Sequence, residues 1–243
     1  MHHRIPWCLL SSVSCLISKA KMKKYWWKVL AVLLVLYSII MGLLGHVPAL
    51  PIVNETIRNV YFHVPMWFTM FTLYIVSVVY SIKYLSSAKP HHDLVAVESV
   101  NVGIVFCIFG LLTGMLWANF TWGTFWTNDP QLNGAAIGTL MYLAYLVLRN
   151  ALEEEQKRAR ISAIYNIFAF PILIVFMYIL PKTTDSLHPG AGGNSGFGEF
   201  DLDGSMKAVL YPGAIGWILI GVWLMTLRYR IRKMEYQNLT ATP

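Results

Sequence analysis

Six stretches of this chain are apolar for long enough to cross a bilayer: Lys28–Leu44, Val64–Leu85, Val95–Ala118, Gly134–Leu148, Ile161–Leu180 and Val209–Leu227. A spanning helix needs roughly 20 predominantly apolar residues. In lipid, every backbone N–H and C=O needs a partner within the spanning structure, so these runs are predicted to be helices. The longest outer connection, Pro181–Lys207, is too rich in Gly to build a core of its own. The pattern predicts an all-α integral membrane protein. Its single six-helix domain covers residues 24–233, with an extension at 1–23 and a tail at 234–243.

Composition agrees: 56% of the 243 residues are apolar and 13% are charged, against about 25% charged in soluble domains. The basic residues orient the bundle. With the N-terminus inside, all but Arg58, Lys182 and Lys207 of the 19 Lys and Arg fall on the cytoplasmic side, as the positive-inside rule requires. Both termini are then cytoplasmic. The net charge of +7 is an insertion signal for the lipid bilayer and implies no nucleic-acid partner. Residues 1–23 are read as an extension from an upstream start. Arg4 followed by Ile5–Ile17 resembles a weak signal peptide, whereas Met22-Lys23-Lys24 before Tyr25-Trp26-Trp27 reads as a natural beginning.

The predicted spans hold no mid-depth Asp, Glu, Lys, Arg or His; Glu98 and Lys83 lie near helix ends, where long side chains reach the interface. Ion pumps and proton-coupled transporters need such groups along their path, so the function is expected at an edge. Cys8, Cys15 and Cys107 have no metal or redox spacing, and no Cys-x-x-Cys-His is present for covalent haem attachment. Nor is there a phosphate-binding Gly-Lys-Ser/Thr loop.

The unusual chemistry collects at the predicted outer edge. His63 precedes Pro65, expected in the first turn of helix 2, where a missing N–H has no partner to lose. His188 sits in Leu187-His188-Pro189-Gly190, ahead of Gly192, Gly193, Gly196 and Gly198. Between them, Trp122 and Trp126 are spaced i, i+4, so a helical turn would place both indoles on one face. Phe120 and Phe125 enlarge a surface suited to a flat aromatic ligand, and Trp117 lies just upstream. Asp129 and Gly123 fit a turn into helix 4, with Asn133 as its N-cap. Trp26, Trp27, Trp67 and Trp217 read as interfacial anchors, and His91 and His92 as solvated residues of a cytoplasmic loop. The role of His46 is open, and Arg58 is placed to pair with Glu55.

The segment Trp122-Gly123-Thr124-Phe125-Trp126-Thr127-Asn128-Asp129-Pro130-Gln131-Leu132 resembles the tryptophan-rich signature of haem-handling proteins of cytochrome c assembly. With six helices and a histidine in each flanking outer loop, Lys24–Lys233 is similar to the cytochrome c maturation protein C (haem exporter C) family. Asn128 and Gln131 depart from that signature, which usually has Trp and Arg there. The second departure removes a partner for a haem propionate and leaves Arg58 or Lys182 as candidates. The resemblance implies one haem b, held transiently and non-covalently at the outer face by His63 and His188 as axial ligands. Trp117, Trp122, Trp126, Asp129 and Arg58 complete the implied site. It also implies a bacterial inner-membrane protein that handles haem rather than a conventional enzyme. Its implied partners are a membrane-anchored haem chaperone and the ABC transporter subunits of the same maturation system.

Three other readings compete. An electron-transferring cytochrome b subunit would place His pairs within its helices. A larger cytochrome c synthetase would add helices and a second, intramembrane His pair, and a scaffold subunit would bind no haem. The topology is directly testable: a reporter active only outside is expected to work within Pro181–Lys207 and to fail within Asn150–Arg160. The opposite pattern would reverse the placement of every site residue.

Overall fold

The computed structural model describes residues 7–48, 53–188 and 202–241, with side chains described for 25–48, 53, 55–188 and 202–238. The first six residues and the Gly-rich stretch after His188 lie outside the described residues. So do Cys8 and Cys15 as side chains.

All six apolar runs lie inside helices. α1 is Trp7–Leu44, and a 3₁₀ turn at Asn54–Asn59 leads into α2, Val60–Ser87. α3 is Pro90–Trp122, α4 Pro130–Asn150 and α5 Glu155–Ile174. α5 continues through a π turn, Val175–Ile179, into the short α6, Leu180–Thr183, and α7 is Gly204–Ala241. Six helical stretches, counting α5 to α6 as one, are long and apolar enough to cross a membrane. The chain is a multi-pass membrane protein of six helices.

α2 is the central element, packed on α3, α5 and α7, while α1 lies along α7. The core is dry and aromatic. Tyr74 and Tyr142 stack with centroids 3.7 Å apart at 12°, and Tyr74 lies over Gly103, where a Cβ would collide with the ring. One polar patch crosses the core: Asn166 Nδ2 donates to Ser77 Oγ at 2.7 Å and Ser81 Oγ at 3.0 Å. Ser77 Oγ donates onward to the Ala96 carbonyl at 2.8 Å. Interhelical bonds of this kind tie helices together where burial against lipid gives no drive.

Several local expectations change. Glu98 does not reach the interface; it is 1% exposed and pairs with Arg228 Nε at 2.5 Å and Arg232 Nε at 3.3 Å. A carboxylate removed from water must be paired to stay charged, and α7 supplies the partners. Nearby, Arg149 of α4 forks onto Asp93 of α3 at 2.8 and 2.5 Å. These pairs join α3, α4 and α7 at the end remote from His63 and His188. His91 and His92 lie at that end too, with His92 Nδ1 against Ser87 Oγ at 2.9 Å.

At the histidine end, Pro65 is inside α2 rather than in its first turn, because the 3₁₀ turn lets the helix begin at Val60. His63 occupies that first turn instead. The N-cap of α4 is Asp129, not Asn133, and Pro130 follows it at the first helical position, where its lack of an N–H costs nothing. α5 carries an internal proline, Pro171, just before its π turn. A proline removes one backbone bond, and wide turns are a common adjustment beside such a break. The π turn carries Met177 and Tyr178 toward the histidines.

Candidate functional site

His63 is fixed by its own helix and by α3. Its Nδ1 lies 3.1 Å from Thr113 Oγ1, and its Nε2 accepts the indole N–H of Trp67, one turn along α2, at 3.1 Å. The ring meets Trp67 and Trp117 edge-on, each with centroids 5.9 Å away. It also sits against Gly114, where a Cβ would come 2.7 Å from His63 Cε1. Only glycine leaves room for the imidazole at that position. Trp117 is steadied by its indole N–H, which donates to Thr56 Oγ1 at 3.3 Å.

His188 is fixed by Asp129. That carboxylate is 4% exposed and accepts from the backbone N–H of Gln131 at 2.9 Å and of Leu132 at 3.3 Å, capping α4. It also accepts from Ser186 Oγ at 2.7 Å, from the Leu187 N–H at 2.8 Å and from His188 Nδ1 at 3.1 Å. Burial alone would raise the Asp129 pKa. The bonds from His188, Ser186 and the Leu187 amide win and hold it well below the ordinary carboxylate range. The helix N-terminus favours the same charge.

The structure brings the two histidines to one cavity of about 270 Å³, with Trp67, Trp117, Gln131 and Met177 in its walls. Phe68 and Tyr178, both exposed, flank it. Trp122 meets His188 edge-on with centroids 5.3 Å apart. Trp126 does not share that face. α3 ends at Trp122 because Gly123 turns left-handed (φ 77°) and donates its N–H to the Asn119 carbonyl, a glycine helix stop. Trp126 therefore follows in a loop, 41% exposed, beside the exposed Phe125.

Arg58 stands apart from the cavity. Its Nε pairs with Glu55 at 2.6 Å, and a terminal nitrogen donates to the carbonyls of Gly42 and Gly45 at 3.1 and 2.7 Å. It lines an adjacent groove with Phe62, Trp117 and Phe120. Lys182 Nζ donates to Tyr178 Oη at 2.8 Å, and Tyr178 lines the cavity. His46 is exposed and outside the cavity lining. Trp67 was read as a membrane anchor and is instead part of the site. Its spacing from His63, i to i+4, was the available signal.

Two imidazoles suit an iron whose other ligands come from a macrocycle. Among the described residues, no group of three or more His, Cys, Asp or Glu is placed to hold a bare metal ion. Each ring has its Nδ1 engaged by an oxygen, which leaves Nε2 for another partner, and for His63 that partner is the Trp67 indole N–H.

The Asp129 cluster yields a prediction. Asp129→Asn keeps the shape but removes the charge and one acceptor oxygen. Charge-assisted bonds contribute roughly 1.5–3 kcal/mol, so amide exchange at Leu187 and His188 is expected to accelerate by about 10-fold or more. Because the folded-state pKa is depressed, the wild-type contribution is present above about pH 4 and lost as pH falls below it. Equal protection in Asp129→Asn would contradict this role.

Comparison with known proteins identifies the family. The sequence profile of the family described as Heme exporter protein C matches residues 7–242. Heme exporter protein C of Bradyrhizobium diazoefficiens is 30% identical over 195 residues, 75% of this chain and 71% of that protein. The Paracoccus denitrificans protein of the same name is 27% identical over 192 residues, 77% of this chain and 78% of its own length. A shorter likeness, 36% identity over 93 residues, reaches Cytochrome c biogenesis protein CcsA of Prochlorococcus marinus. It covers 38% of this chain and 28% of that protein. With a family match running through nearly its whole length, the chain belongs to the Heme exporter protein C family.

Proposed function

We propose that this protein holds one haem b between His63 and His188 and presents it for transfer during cytochrome c maturation. The observation that carries the reading is the pairing of two imidazoles, from elements far apart in sequence, in one apolar cavity. Each has its Nδ1 engaged by an oxygen, and the Nε2 of His63 accepts the Trp67 indole N–H. Haem iron accepts two such axial ligands. The family names agree, since relatives are called heme exporters and cytochrome c biogenesis proteins.

The chain's own residues do the positioning. Asp129 orients His188, Thr113 orients His63, and Trp117 and Trp122 brace one imidazole each. Bound haem supplies an iron that takes the two Nε2 atoms and two propionates that seek a cation or water. Lys182 at the rim suits that cation better than Arg58, whose Glu55 and backbone partners already hold it. A cavity of about 270 Å³ lies just below the range of ordinary ligand sites, roughly 300–1,000 Å³. It encloses only part of a macrocycle as large as haem, so the cargo stays reachable. Phe120, Phe125 and Trp126, all exposed beside the site, fit a partner or the lipid interface.

The asymmetry of the basic residues supports an outer position for this end, which on this reading is the periplasmic face of a bacterial inner membrane. The receiver is then a membrane-anchored haem chaperone, with the ABC transporter subunits of the same system releasing it.

The test is to purify His63→Ala and His188→Ala. Each is expected to open one axial position, giving high-spin or depleted haem and poor delivery to the chaperone, with added imidazole partly restoring the low-spin signal. His46→Ala is expected to behave as wild type. Low-spin haem in His63→Ala together with its loss in His46→Ala would assign the first ligand wrongly.

A further inference from the structure

We propose that Trp67 is a placeholder: its indole N–H occupies the iron-ligating lone pair of His63 whenever haem is absent and retakes it when haem leaves. This inference rests on His63 being an axial ligand, as proposed above, and adds a residue that sets how readily the cargo is released.

Donor logic assigns the protons. Thr113 Oγ1 has one hydrogen, and it is directed to the backbone of its own helix, at 2.7 Å from the Phe109 carbonyl and 3.1 Å from that of Gly110. Toward His63 it is therefore an acceptor, so Nδ1 carries the ring hydrogen and Nε2 carries the lone pair. Trp67 Nε1, 3.1 Å from Nε2, is a donor only. The two contacts require the same tautomer. It is also the tautomer an iron would require.

One lone pair cannot serve an N–H and an iron at once. Haem binding must break the Trp67 bond, and haem departure can restore it. Packing limits the ways this happens. Both rings lie in a notch of α3, where a Cβ at Gly110 would stand 2.8 Å from Trp67 Cε2 and one at Gly114 would stand 2.7 Å from His63 Cε1. Neither ring can withdraw into α3, so the exchange takes place on the cavity side, which both residues line. Without the placeholder, a departing haem would leave a bare nitrogen in an apolar wall, which opposes release. Trp67 relieves that opposition and Thr113 keeps the ring in register throughout.

The experiment uses the full chain in detergent, loaded with ferric haem, with excess apomyoglobin as acceptor. Trp67→Phe removes the N–H and keeps an aromatic ring. Release is expected to slow by about 3- to 10-fold, the range set by one net hydrogen bond. Thr113→Val is expected to raise the haem midpoint potential by weakening the His63 donor, and Thr113→Ser to restore it. A readout independent of release is the ultraviolet resonance Raman signal of the indole N–H. A hydrogen-bonded Trp67 is expected in the haem-free wild type and absent after loading, which keeps the proposal testable even if Trp67→Phe is poorly made. Equal or faster release in Trp67→Phe, or an indole bond that persists in loaded protein, would overturn the placeholder alone. Low-spin haem retained by His63→Ala, measured alongside, would remove the axial role of His63 and this proposal with it.

Discussion

A carboxylate taken out of water must have its charge met by hydrogen bonds, and Asp129 has them only where two separate parts of the chain come together. The N-terminus of α4 supplies two backbone N–H groups, and residues 186–188 supply a hydroxyl, a backbone N–H and an imidazole. Removing either set would leave a desolvated charge with too few donors, a costly state. The position of His188 is thus a consequence of satisfying Asp129. His63 is placed by a steric constraint, the space left by Gly114 in α3, with Gly110 making room for its partner Trp67. An electrostatic demand and a packing demand together bring two imidazoles to one cavity.

The rest of the molecule keeps those two walls in register. The buried pair Asp93–Arg149, and the buried Glu98 with its half-exposed partners Arg228 and Arg232, hold α3, α4 and α7 at the far end. The stacked Tyr74 and Tyr142 fill the middle, where α2, α3 and α4 meet. The rim is formed by His188, on a short segment after α6, and by Met177 and Tyr178 of the π turn. In the function proposed above, the two imidazoles would hold the cargo, and a cavity bordered by the exposed Phe68 and Tyr178 would leave it within reach of a receiver.

The helices were legible in the sequence because the bilayer imposes a simple rule on length and polarity, and all six runs fall within observed helices. Long-range pairing was not legible. Glu98 reads as an end-of-helix residue until Arg228 and Arg232 arrive from 130 and 134 positions away. At the site, His63, His188 and Trp122 could be singled out by residue type and neighbours, but the helical pairing of Trp122 with Trp126 gave way to a glycine stop at Gly123. Asp129 looked like a turn residue, and its bonds to Ser186, Leu187 and His188 depend on a fold that no local pattern encodes. Trp67 was hidden for the opposite reason. Tryptophan near a membrane surface is so often an anchor that its i, i+4 spacing from His63 drew no weight.

The central claim is that one chain offers two imidazoles to one haem. The most direct measurement is the low-temperature electron paramagnetic resonance spectrum of the intact protein loaded with one equivalent of ferric haem. Two histidine ligands predict a low-spin rhombic signal that accounts for nearly all the iron. A dominant high-spin axial signal from the wild-type protein would contradict the account.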